Sequence, residues 1–225
     1  DLAVATQDWP TLERVGAQLT EAATAQSDGR LLALAQRFLG LACVETGRVV
    51  EAAELLEAAV PVLELQDQAL VGPAGWALGH ALSATGDPGG ARHAFDAAGR
   101  SFNADGRWHE AAHAHLRAAH AAWECGHSAD AAMSFEGAAY AAATAGTVDV
   151  FAAARRGRSS LLIQQGRVEE GIGQHGVQGG DALAAAVGDQ DADQGVGEQR
   201  RVAEGGLVPF GRSGRGHRRD PHQPR

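Results

Sequence analysis

Small and apolar residues recur three and four positions apart through most of the chain, the spacing of one buried face of an α-helix. The pattern comes in matched blocks. "LGLACVETGRVVEAAELLEAA" begins at Leu39, "LGHALSATGDPGGARHAFDAA" at Leu78 and "AAHAAWECGHSADAAMSFEGAA" at Ala118, each predicting a helix, a glycine turn and a second helix. The turn glycines are Gly47, Gly86, Gly126 and, opening a fourth block, Gly166, so the repeat has a period of 39 or 40 residues. Five residues after the first three come Ala52, Ala91 and Ala131, nine after come Leu56, Phe95 and Phe135, and twelve after come Ala59, Ala98 and Ala138.

Glycine ends a helix because it enters the left-handed region without strain. The small, large, small series lies on one face of the second helix and lets the first helix approach closely. "SDG" at 27–29, "QD" at 66–67, "NADG" at 103–106 and "AG" at 145–146 are the turn signals that close the second helices. Trp9 to Ala23, with Val15, Leu19 and Ala22 in the apolar columns, reads as the trailing helix of a preceding repeat within 1–29, and the repeats proper occupy 30–170. The fourth block opens through "LLIQQGRVEEG" and then breaks: Gly171 takes the Ala column, His175 the aromatic column and Gln178 the last Ala column. The fold class is all-α.

Leu39-Gly40 and Leu78-Gly79 in first helices, glycine at the turn, then Ala, Phe and Ala in second helices resemble the tetratricopeptide repeat (TPR) family. The third block has Ala118-Ala119 and the fourth Arg158-Ser159 at the Leu-Gly pair, and the family's Trp, Tyr and closing Pro are missing. The resemblance implies a right-handed α-solenoid of antiparallel helix pairs whose first helices line a concave face. Long Ala-rich repeats of this kind are also similar to the arrays of large LuxR-type bacterial regulators.

Composition narrows the setting. All 19 basic residues are Arg, in a chain rich in Ala and Gly, which matches high-GC coding and cautions against reading Arg richness as function. A net charge of −9 argues against nucleic-acid binding by the bulk of the chain. Cys43 and Cys125 have no metal-binding or disulfide spacing and fit a reducing, cytoplasmic compartment. No apolar run approaches the length of a membrane span. From 171 to 225 glycine is dense and periodicity disappears, ending in "GRSGRGHRRDPHQPR". That segment is expected to be disordered, either a natural linker or a frame-shifted tail, with a phosphate-contacting Arg arm as a further reading.

"HEAAH" at His109, Glu110 and His113 has the letters of a zinc-hydrolase helix, with the histidines about 6 Å apart along the axis. His120, seven residues on along the same helix, cannot close that site, so a zinc-dependent hydrolase stands as the alternative reading. Counting back from each turn glycine gives groove columns instead. They hold Leu34, Arg37, Leu41 and Val44, then Pro73, Trp76, His80 and Ser83, then His113, Leu116, His120 and Trp123, then Ala153, Arg156, Ser160 and Ile163. The candidate ligand-binding set is Arg37, Trp76, His80, His113, Leu116, His120, Trp123 and Arg156. Aromatic faces and guanidiniums together suit an extended protein segment or a small anionic ligand. Each Trp could equally fill core, and the aliphatic first set fits a core face as well. The expectation is a non-enzymatic interaction or ligand-sensing module of a larger regulatory protein, without cofactor or resident metal. Trp76, His80, His120 and Trp123 should be partly exposed, and Ala91, Phe95, Ala131 and Phe135 buried.

Because the last repeat lacks a full second helix, its first helix should be the weakest part of the array. Amide hydrogen exchange is expected to be faster over 148–165 than over 70–140, and equal protection of the two stretches would contradict the edge argument.

Overall fold

The computed structural model describes residues 8–175, and among these residues it contains helices and no strand. The helices are α1 (Trp9–Gln26), α2 (Gly29–Glu45), α3 (Val49–Gln66), α4 (Gln68–Thr85), α5 (Pro88–Ala104), α6 (Trp108–Glu124), α7 (Ser128–Ala145), α8 (Val148–Gln164) and α9 (Val168–His175). Each packs on its sequence neighbours. The even-numbered first helices also meet one another, α2 on α4 and α6 on α8. The expected tail beyond residue 175 lies outside the described residues.

What sets the helix length is a left-handed residue about every 20 positions: Ser27, Gly47, Gly86, Gly106, Gly126, Gly146 and Gly166, with φ between 52° and 84°. After each, the next backbone N–H turns back to a carbonyl five residues earlier, as in Arg48 to Cys43 (2.8 Å), Asp87 to Leu82 (2.9 Å) and His127 to Ala122 (2.9 Å). This is the Schellman closure, which satisfies carbonyls that the helix end would otherwise leave bare. Asp67 is the exception. It alone separates α3 from α4, with φ at −153°.

Packing follows the columns read from the sequence. Ala52, Ala91 and Ala131, Leu56, Phe95 and Phe135, and Ala59, Ala98 and Ala138 are all buried. The Leu-Gly pair has a steric cause: a Cβ on Gly40 would meet Leu56 Cγ at 2.6 Å, and one on Gly79 would meet Phe95 Cδ1 at 2.5 Å. In the third repeat the same register holds Ala119, and the glycine that makes room for the large side chain is Gly157 on α8, where an added Cβ would collide with Phe135 Cε1. Phe135 thus leans into the next repeat.

The fourth repeat solves the problem with polar groups. Ser159 replaces the glycine of the pair, and its hydroxyl donates to the Gly171 carbonyl. A side chain at Gly171 would run into Ile163 Cγ1 at 2.6 Å. The break expected at Gly171 is accordingly displaced, since α9 continues through that residue to His175, with glycine permitting close contact with α8.

One buried polar cluster interrupts the apolar stack. His115, on α6, fills the space left by Gly99 on α5 and Gly137 on α7. The Asn103 amide lies 3.1 Å from its Nε2 and Asp96 Oδ1 lies 3.7 Å from its Nδ1. The His115 ring is the largest influence holding the Asp96 carboxyl below its ordinary value, with Arg100 adding to the effect. Arg92 and Asp130 close the α5–α7 seam beside it at 2.7 Å.

Gly79→Ala is expected to destabilise the array by about 1–3 kcal/mol despite the better helix propensity of Ala. Gly89→Ala, at a site where the nearest atom is Asp87 Oδ1 at 3.4 Å, should be neutral or stabilising. Phe135→Ala should cost about 3–5 kcal/mol. Urea unfolding followed by circular dichroism measures all three, and a neutral Gly79→Ala would overturn the steric account of the Leu-Gly pair.

Candidate functional site

Two cavities open along the first-helix layer, sharing Leu41 and Trp76. One, of about 390 Å³, lies among α2, α4 and α6 and is lined by Arg37, Leu41, Pro73, Trp76, Phe102, Arg107 and the HEAAH residues His109, Glu110 and His113. The other, of about 430 Å³, lies among α1 to α4 and takes in Trp9, Val44, Val49, Trp76 and His80. The first exists because α4 and α6 are not drawn together as α2 and α4 or α6 and α8 are.

Helical register explains which side chains meet here. Trp76 and His80 are one turn apart on α4, their rings 4.6 Å centre to centre, and both stand edge-on to buried Phe95 at 5.4 and 5.2 Å. The next repeat copies the arrangement: His120 and Trp123 of α6 stand edge-on to Phe135 at 5.6 and 6.2 Å. Phe95 of α5 and Phe135 of α7 are therefore platforms for the aromatic and imidazole rings of the first helices. Trp123 is half-buried and its Nε1 donates to Gln164 Oε1 at 2.9 Å, tying α6 to α8.

Of the residues singled out by sequence, Arg37, Trp76 and His113 meet in the first cavity, and His80 joins Trp76 in the second. Trp76, His80 and Trp123 are half-buried and His120 is exposed. Leu116 is a half-buried packing residue between two core clusters, and Arg156 is exposed on α8 and lines neither cavity. Arg37 departs from the partly exposed groove cation that its column suggests. It is 4 % exposed, its guanidinium lies 5.2 Å from the Phe38 ring centre, and burial lowers its pKa.

The sequence columns missed three contributors. Phe102, in the last turn of α5, and Arg107, at the turn into α6, lie outside any first-helix column; the guanidinium lies over the Phe102 ring at 4.6 Å and donates to Glu110 Oε1 from Nε at 3.0 Å and Nη2 at 2.7 Å. Arg117, exposed on α6, falls between the counted columns. Its placement four residues after His113 and three before His120 is the signal that could have found it. Arg117 contributes to a lowered pKa at His80, His113 and His120 alike, so these side chains lie within the influence of one cation.

Burial is the largest cause of each of those shifts. His109 adds to it at His113, while Asp149 and Glu110 oppose it there and Glu124 opposes it at His120. The His109 and His113 rings stand 4.8 Å apart, but the Glu110 carboxylate is occupied by Arg107, and among the described residues no group of three His, Cys, Asp or Glu side chains is disposed to hold a metal ion.

Compared with known proteins, the chain matches no family model and no curated sequence. Among the described residues no helix is long and apolar enough to cross a membrane.

The lowered histidines have a defined consequence for stability. Where the folded-state pKa lies below the ordinary 6.5, the unfolded chain binds more protons, so the contribution is complete above that value and is lost as pH falls through it. The urea midpoint is expected to drop between about pH 7.5 and about pH 5.5, and His80→Gln with His120→Gln should flatten the dependence. A midpoint that rises on acidification across this window would contradict the face as described.

Proposed function

We propose that the chain is a non-enzymatic interaction module of TPR-like build, a right-handed solenoid whose first-helix layer is the concave face and receives an acidic protein segment or a small anionic ligand. The observation that carries this reading is the joint influence of Arg117 on His80, His113 and His120, beside two apolar cavities edged by Trp76. Cationic charge over an apolar, aromatic-lined surface selects for carboxylates attached to apolar bodies, and aromatic side chains serve as anchors at binding surfaces. The contacts of α2 with α4 and of α6 with α8 support the TPR-like arrangement, as does the steric role of Gly40 and Gly79.

The wider setting follows the same reading. A Lys-free, Arg-only composition and the long repeat period support membership in a larger bacterial regulatory protein related to the LuxR-type regulators, with the array as its sensing part. Two free thiols, Cys43 buried and Cys125 half-buried, support a reducing, cytoplasmic compartment.

Selection from a displayed random peptide library tests the surface. Enriched sequences are expected to be acidic with an aromatic or branched residue. Their affinity should fall by more than about fivefold on Trp123→Ala or Arg117→Ala, and remain unchanged on Met133→Ser, an exposed site on α7. Failure to enrich any sequence, or enriched peptides that bind all three variants alike, would rule the surface out.

A further inference from the structure

We propose that the cavity among α1 to α4 is a site for a small organic cation, one ammonium group on an apolar body about the size of an aromatic ring. The proposal goes beyond the reading of the first-helix face and does not rest on it: the cavity lies on the α1 side of Trp76 and selects the opposite charge. At about 430 Å³ the space is in the range of small-ligand pockets. Leu41, Val44, Val49 and Ala77 make much of its wall apolar, and two indoles line it from different helices, Trp9 from α1 and Trp76 from α4.

Glu45 supplies the charge. It is the last residue of α2, whose final turn carries no basic residue, so its carboxylate adds to the negative end of that helix. Among the described residues Glu45 forms no ion pair; Arg48, the basic residue nearest to it in the chain, is held by both Glu13 and Glu51. No Arg lines the space. The other polar group there is His80, whose ring stands edge-on to Trp76 at 4.6 Å. Burial first and Arg117 second lower its pKa, so at neutral pH the imidazole is uncharged and does not repel a cation. Arg117 acts on His80 from α6, outside the lining, which places the ammonium by Glu45 and the apolar body by His80. An ammonium against an indole face gains from the ring's quadrupole, and gains more where apolar walls exclude water. A carboxylate ligand would meet Glu45 with no cation in the lining to offset it, and a neutral one would gain nothing from it.

Titration calorimetry on the full chain at neutral pH tests the site with phenylethylamine, phenylethanol and phenylpropionate, which differ in charge on one skeleton. The amine is expected to bind at one site per chain in the millimolar range or better, the alcohol about fivefold weaker and the acid not measurably. Glu45→Gln should bring the amine down to the affinity of the alcohol and leave the alcohol as it was. Trp9→Leu, which keeps apolar bulk without the ring, should weaken the amine by about fivefold. Glu124→Gln removes an exposed carboxylate from the corresponding position of the third repeat, two residues before Gly126, outside the cavity, and should change nothing. Circular dichroism reports that each variant stays helical; an exposed carboxylate at a helix C-terminus can be neutralised without loss of helix stability. Equal binding of amine and alcohol, no saturable binding of the amine at millimolar concentration, undiminished amine binding by Trp9→Leu, or equal loss in Glu124→Gln and Glu45→Gln would overturn the proposal.

Discussion

The close approach of paired helices is the constraint on which the rest of this molecule depends. A large side chain from the second helix, Leu56, Phe95 or Phe135, presses onto a glycine of a first helix, Gly40 and Gly79 of the preceding one or Gly157 of the following one, where even a methyl group would collide with it. Alanines on either side complete the contact, and a buried Ala costs almost no side-chain entropy while allowing backbones to come near. Phe95 and Phe135 supply volume at the points where the alanines leave it to be filled. Left-handed residues about 20 positions apart then cut the chain into helices of matched length, so that successive pairs present the same columns to one another.

The candidate site grows out of that packing. The same Phe95 and Phe135 that seal the helix pairs are the rings against which Trp76 with His80 and His120 with Trp123 stand on the other side. Core and surface are therefore joined through one residue per repeat: a change at Phe135 disturbs both stability and the placement of Trp123, while a change at Trp123 acts mainly on the surface. Where neighbouring first helices separate, between α4 and α6, the apolar walls that would otherwise have been core are left open as a cavity.

The electrostatics of this face arise from helix periodicity more than from any single contact. Arg117 lies within a turn of both His113 and His120 on α6, and its influence extends to His80 on α4. Glu110, Asp149 and Glu124 act against it there, and Glu110 is held by Arg107. By contrast, the cluster of His115, Asp96 and Asn103 lies between α5, α6 and α7, with Arg100 also on Asp96, and it serves the seam between repeats.

The sequence by itself determined the helical class, the helix-turn-helix register, the glycine stops and the burial of the Ala and Leu or Phe columns, because these depend on local periodicity and on backbone conformations that only a few residue types tolerate. Columns counted from the turn glycines also brought Arg37, Trp76, His80 and His113 to the right layer, since residues three and four apart share a helix face whatever the fold around them. Only the tertiary structure decided that Arg37 is buried, that Phe135 draws its glycine from the following repeat and that α9 passes through Gly171. It alone brought Phe102 from the end of α5 and Arg107 from the turn after it to the cavity wall. Those outcomes turn on how far adjacent helices part and on which neighbour fills the gap, distances set by packing between segments about 20 to 40 residues apart, which the residues of one helix cannot encode alone.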